Sequence, residues 1–316
     1  MSLHRPAPAH RPHRRLWPFI LSGLLAGLLV VALTALFVVR RDDTATADTA
    51  AARLTLAEGV TAGGSITGQA RTLADALTAR GLECSVRFTS ADGGHAGCFA
   101  LAGRTTSAVV VQYRPDGSVT ALTIKVRATG ETGPALRSLA GTVGPIVFPA
   151  DLPRVNNVLR AWGGWVDGAW GKYEIVGRGE KTEISAAKLN STQLKVPVLH
   201  LDTTESGLAD ALRADGLSCT ADNETCQRKP GLALKFSGPD VGITYLVATA
   251  AASADFEQVL RHLSGNAVQP VRDWVNQHLD GRSHIAYVAG WRVDLQVVGQ
   301  QVRLTLFNEE VWLVMS

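Results

Sequence analysis

Four cysteines, eight histidines and a few clustered carboxylates and tryptophans are the chemistry-bearing side chains of this 316-residue chain. The cysteines fall in two pairs, Cys84 with Cys98 and Cys219 with Cys226. Outside the cytoplasm such pairs ordinarily oxidise. Closing a loop of about 15 residues contributes about 3 kcal/mol in the chain-entropy account. Zinc is the competing chemistry, with His95 joining Cys84 and Cys98. That spacing matches no usual zinc pattern, C-x-x-C is absent, and the second pair has no matching histidine. Two structural disulfides are therefore expected, and no metal.

His200 and Asp202 stand two apart in Leu199-His200-Leu201-Asp202. Read as a strand, this segment turns both to one side. With a serine such a pair makes a nucleophilic triad. No serine stands in a G-x-S-x-G elbow, and neither H-E-x-x-H nor G-x-x-x-x-G-K-[ST] occurs. His278 and His284 flank a turn at Asp280, either as a surface metal site or as solvated loop residues. Glu309 and Glu310 are a candidate acid–base pair. Adjacent strand residues face opposite ways, so a charged edge is the better reading. No catalytic residue and no cofactor is assigned.

Trp162, Trp165 and Trp170 crowd around Gly163, Gly164 and Gly171. Tryptophan offers a large stiff surface to a sugar ring or a protein partner at low entropic cost. These three are the candidate ligand or partner contacts. Core packing and packing between repeats are the alternative. The apolar residues 311–315 read as a closing strand, or as an edge open to strand addition.

The elements that must position these groups are written twice. Leu73-Ala74-Asp75-Ala76-Leu77 recurs as Leu208-Ala209-Asp210-Ala211-Leu212, and Gly81, Leu82 and Cys84 recur as Gly216, Leu217 and Cys219. Further on, Pro115-Asp116 matches Pro239-Asp240, and Leu136-Arg137 matches Leu260-Arg261. Near the end, Glu174 and Gly179 match Asp294 and Gly299. The order is kept while the offset shrinks from 135 through 124 to 120, as a tandem duplication with trimmed loops requires. Within each copy, apolar spacing of i, i+3, i+4 predicts a helix ended by Gly81 or Gly216. Arg114-Pro115-Asp116-Gly117 between two apolar runs predicts a hairpin. The pattern per copy is α-β-β-β-β-α-α-β-β, an α+β class with mainly antiparallel sheets.

Residues 16–39 are an uncharged apolar run long enough to cross a bilayer core of about 30 Å. Arginines crowd the short side before it, which predicts a cytoplasmic N-terminus and an exported remainder. A cleaved signal peptide is the alternative, but its apolar region is usually only about 7–15 residues. Six of the 31 basic residues, all arginine, precede Asp42, leaving 25 basic against 28 acidic side chains and a formal −3 for the exported part. That part has no basic stripe, which excludes phosphate-backbone recognition and hence nucleic acid as a partner. Abundant alanine and arginine suggest a GC-rich bacterial genome. Asn190-Ser191-Thr192 and Asn223-Glu224-Thr225 fit the glycosylation acceptor pattern but are read as loop residues.

The expected organisation is a cytoplasmic tail (1–15), a transmembrane signal anchor (16–39), a flexible stalk (40–68), and two extracytoplasmic modules (69–188 and 189–316). The expected place is the cell membrane, crossed once. The expected role is non-catalytic: binding an envelope protein or cell-wall polymer, or envelope assembly. An envelope hydrolase built on His200 and Asp202 is the rival.

Overall fold

The repeated Leu-Ala-Asp-Ala-Leu segment is helical in both places, over Gly68–Thr78 and Glu205–Ala214. Both helices end the same way. Gly81 and Gly216 take φ of 84° and 83°, a left-handed conformation that costs glycine no Cβ clash. The next amide then reaches back, Leu82 N to Leu77 O at 3.1 Å and Leu217 N to Leu212 O at 3.0 Å. This is the closure that satisfies a helix's last carbonyls.

The computed structural model describes residues 54–308 apart from 162, 230 and 252. The predicted tail, the predicted span, residues 40–53 of the predicted stalk, Trp162, Glu309, Glu310 and residues 311–315 lie outside the described residues. Among the described residues no helix is long and apolar enough to cross a membrane.

The first module opens with a hairpin, β1 (Thr55–Ala57) and β2 (Val60–Ala62). It continues through α1 (Gly68–Thr78), β3 (Glu83–Ser90), β4 (Gly93–Ala102), β5 (Thr105–Tyr113) and β6 (Val119–Arg127). It closes with α2 (Gly133–Val147), α3 (Leu152–Arg160), β7 (Gly163–Asp167), β8 (Gly171–Val176) and β9 (Lys181–Lys188). The second runs through α4 (Glu205–Ala214), β10 (Ser218–Cys219), β11 (Thr225–Arg228), β12 (Leu232–Ser237) and β13 (Tyr245–Ala250). It closes with α5 (Ser253–Leu260), α6 (Val268–Gln277), β14 (His284–Val288), β15 (Trp291–Val298) and β16 (Gln301–Phe307).

The α+β reading holds, with two mainly antiparallel sheets. Sheet one has the order β1-β2-β3-β4-β5-β6-β9-β8-β7, and sheet two β10-β11-β12-β13-β16-β15-β14. Without the leading hairpin the two orders are identical. In each module the helices cover one face of the sheet. Leu73, Leu77, Leu136, Val143 and Val155 meet Val109, Leu122 and Ile184 in the first core. Leu208, Leu212, Phe256, Val259 and Val271 meet Leu234, Leu246 and Leu304 in the second. The same tie joins the first helix to the next in both modules, with opposite polarity. Arg80 donates to Ser138 Oγ at 2.6 Å and to Thr142 Oγ1 at 2.7 Å. At the matching positions, Asp215 accepts from His262 at 2.7 Å and from Arg261 at 2.6 Å. Those bonds, His262 first, hold the Asp215 carboxyl well below the usual carboxylate range.

Three local readings change. Each module closes with three strands, because the Gly-Trp segment itself forms β7 and its counterpart forms β14. Residues 55–62 of the predicted stalk form the hairpin β1–β2, which pairs with β3, while Leu54 and Leu56 pack against the second core. Leu199-His200-Leu201-Asp202 is no strand: only Leu201 makes a single bridge, to Ile243. Asn190 and Asn223 of the acceptor patterns are turn residues at φ of 57° and 62°, a region asparagine tolerates.

Both cysteine pairs are disulfides, Cys84–Cys98 and Cys219–Cys226, joining directly opposed residues of neighbouring strands. They close separations of 14 and 7 residues. Replacing Cys84 and Cys98 together by alanine is expected to lower stability by about 3 kcal/mol, and the shorter pair by about 2 kcal/mol. Urea unfolding of the oxidised proteins checks the order: the double variant in the first module must have the lower midpoint.

Candidate functional site

The back of sheet one, away from its helices, is where chemistry-bearing side chains gather. A β-bulge interrupts β3, so Val86 pairs with Ala96 and Phe88 with His95, leaving Arg87 as the extra residue. Bulges bend a strand and re-aim its side chains. Here Arg87, Phe88 and His95 are all buried outside the first core. His95 alternates with Ala96 and Cys98 along β4, so it lies on the face opposite the disulfide. The zinc set of Cys84, His95 and Cys98 does not form. Among the described residues no group of three or more His, Cys, Asp or Glu is placed to hold a metal ion.

What covers this face is the second module. The hairpin β14–β15 turns through Ala289 and Gly290, both at positive φ, and lays β14 on β3 and β4. Ile285 and Tyr287 pack with Phe99, Ala108 and Val110. The Tyr287 ring lies 5.2 Å from Phe99 and 5.6 Å from His95. It fits because position 97 is glycine: a Cβ there would sit 2.7 Å from the Tyr287 ring and 2.5 Å from Phe99. The Tyr287 amide donates to Ser85 Oγ at 2.7 Å.

Two guanidinium groups are enclosed in this seam. Arg87 is 0% exposed and donates through Nε to Gly290 O at 3.0 Å and through a terminal nitrogen to Asn308 Oδ1 at 2.7 Å. It also lies over the Tyr287 ring at 5.6 Å. Arg292 donates to Asp294 at 2.9 Å and lies over Phe99 at 4.7 Å and Phe307 at 5.1 Å. Arginine suits such burial because its planar fork stacks on rings while donating in the plane. His95 is 0% exposed as well, stacked on Phe88 at 5.5 Å, with neither ring nitrogen hydrogen-bonded. Burial first, and then the Arg87 charge, hold its pKa well below the usual histidine value.

At the rim, the structure joins residues that the sequence placed near a turn and adds one from the other module. His284 lies between Glu83 Oε1 at 3.1 Å and Asp280 Oδ1 at 3.0 Å. Its ring meets His278 at 4.8 Å, and His278 stacks on Trp274 at 4.3 Å. The Arg282 amide, then His284, hold the Asp280 carboxyl below its ordinary value. Both nitrogens of His284 face carboxylates, so the protonated ring donates to both at once. A shallow depression of about 200 Å³ lies beside this rim, lined by His278, Leu279 and Arg282 among others. Small-molecule sites usually run from about 300 to 1,000 Å³.

The tryptophans part company. Trp170 turns toward the first core, against Phe148 and Tyr173. Asp151 sets this up. Buried at the start of α3, it accepts from the amides of Ala169 and Trp170 and from the Tyr173 hydroxyl at 2.7–2.8 Å. Burial alone would raise its pKa, but those donors, Tyr173 foremost, leave it lowered. Trp165 points out from β7, the end strand of sheet one, and is 67% exposed. Val176 of β8 is exposed on the same face. His200 and Asp202 are both exposed. Asp202 meets a serine only through its backbone, its amide donating to Ser264 O at 3.0 Å, which is not a triad contact.

Sequence reasoning missed Arg87, Tyr287, Arg292, Asp294, Glu83 and Asp151. Arg292 and Asp294 alternate with Trp291, Val293 and Leu295, which reads as an ordinary wet strand face. The available signal was the small-residue run Gly93-Gly94-His95-Ala96-Gly97, since glycine inside a strand marks close approach by another group. No protein family, curated protein or solved structure matches the chain.

The seam makes a stability prediction. Tyr287→Ala empties a buried aromatic site and is expected to cost about 3 kcal/mol or more. Gly97→Ala forces a methyl between two rings and is expected to cost about 1–3 kcal/mol. Urea unfolding should show both as lower midpoints, with the second module separating before the first core melts. An unchanged midpoint for Tyr287→Ala would contradict the seam as described.

Proposed function

We propose that this chain is a single-pass membrane protein whose two disulfide-stapled modules stand outside the cytoplasm and contact an envelope partner without catalysing a reaction. The partner is another envelope protein or a cell-wall polymer. The oxidised cysteines support an exported location, since such pairs persist in oxidising compartments. The apolar residues 16–39 and the arginines before them support the anchor and its direction.

The observation that carries the binding role is Trp165, two-thirds exposed on an end strand beside Val176. A large exposed aromatic next to an unpaired strand edge is a contact feature of the kind partners use. Its sister position in module two, Ile285, is covered by a sheet, so this face of the module already works as a docking face once. Hydrolysis at His200 and Asp202 draws no support from the geometry.

The test uses the full-length protein in its native membrane, with a photo-crosslinking residue at position 165, at 176, or at 298 in the second module. Adducts are expected from 165 and 176 and not from the exposed control at 298. In a chain with the probe at 176, Trp165→Ala should reduce capture by about ten-fold, the loss of one hot-spot aromatic worth at least about 1.4 kcal/mol. Equal capture at all three positions, or none at any, would remove the reading. Recovery of the intact chain from the soluble cytosol with reduced thiols would remove the location.

A further inference from the structure

We propose that the seam between the modules is a proton-operated joint: neutral His95 keeps β14 docked on sheet one, and a proton on His95 releases it.

The surroundings of His95 make the neutral ring the only one that the docked state accommodates. Phe88 stacks on one side, with an interplanar angle of 8°, and the edge of Tyr287 closes another. Arg87 of β3 is the neighbouring charge, and it is positive. Gln112, opposite His95 on β5, is uncharged, and its side chain is engaged with the backbone of Leu194. The Arg292–Asp294 pair of β15 lies further along the seam, beyond Phe99. Among the described residues no carboxylate hydrogen-bonds to His95. A proton there would bury a second cation beside Arg87 and leave another N–H without an acceptor, which is costly in a dry interior.

Undocking is the smallest motion that relieves this. Tyr287 belongs to the second module, so withdrawing the β14–β15 hairpin brings water to the imidazolium and leaves the first core closed. The direction with pH follows. The histidine pKa is lowered when docked and returns toward about 6.5 when solvated, so the undocked state binds more protons. Docking is therefore complete above that value and weakens as pH falls below it. His284 lies apart from His95 at the rim, against Glu83 and Asp280, and serves as the control position.

Hydrogen exchange on the full-length chain tests the joint, because the Tyr287 amide bonds across the seam to Ser85 and reports undocking directly. From about pH 7.5 to about pH 5, after correction for intrinsic exchange, its opening constant is expected to rise toward about ten-fold per pH unit below pH 6.5. The Ile124 amide in the first core should keep its protection. His95→Phe, which retains a ring for Phe88, should abolish the rise, and His95→Leu serves the same purpose if the phenyl packs poorly. His284→Gln should retain it. A flat wild-type profile overturns the proposal. So does a slope that survives both His95 variants or vanishes with His284→Gln, and so does Ile124 opening in step with Tyr287.

Discussion

A fully buried guanidinium, Arg87, decides how the two modules can meet. Burying a charge costs several kcal/mol unless its donors find acceptors in good geometry. Arg87 finds them in the tip of the β14–β15 turn and in Asn308, both some two hundred residues away in the chain. Sliding β14 along sheet one by one residue would strand those donors and carry the Tyr287 ring off Gly97, the place on β4 that leaves room for it. The apolar contacts of Tyr287, Phe99 and Val110 supply attraction, which is tolerant of position. The polar groups supply the register, which is not. The seam is therefore a specified joint between two cores and not a loose hydrophobic contact.

The same constraint explains why two modules of one topology behave differently. Register places Trp165 opposite Glu174 in the first and Ile285 opposite Asp294 in the second. Asp167 opposite Lys172 likewise matches Tyr287 opposite Arg292. In the second module these positions are covered by a neighbouring sheet and carry a mix that can be buried. In the first they carry Trp165, Asp167 and Lys172, which remain wet. The two modules share the helix ends, the disulfides and the strand order, which each needs to close its own core. They differ in the outward face, whose use depends on what lies across from it. Asp151 belongs to this divergence, because it builds the turn that sends Trp170 inward and leaves β7 outside.

The chain alone determined what depends on near neighbours. Helical spacing and a following glycine specified α1 and α4. The Pro-Asp-Gly turn specified β5 and β6. The repeat specified which cysteine pairs with which, because pairing within a copy is the one arrangement both copies share. Each of these rests on contacts within a few residues, or on a pattern seen twice. The tertiary structure alone decided the second face of each sheet. Arg87, Arg292 and Asp294 sit on strands whose alternation is indistinguishable from that of a solvated edge, and nothing local tells a covered face from a wet one. Residues 55–62 read as a stalk because their strands are three residues each, and they form only against β3 and the second core. The separation of Trp165 from Trp170 turned on Asp151, which stands at a helix start and accepts from donors in the β7–β8 hairpin. Burial of a strand's back is a property of the sheet that comes to lie on it, and that sheet is written far away in the chain.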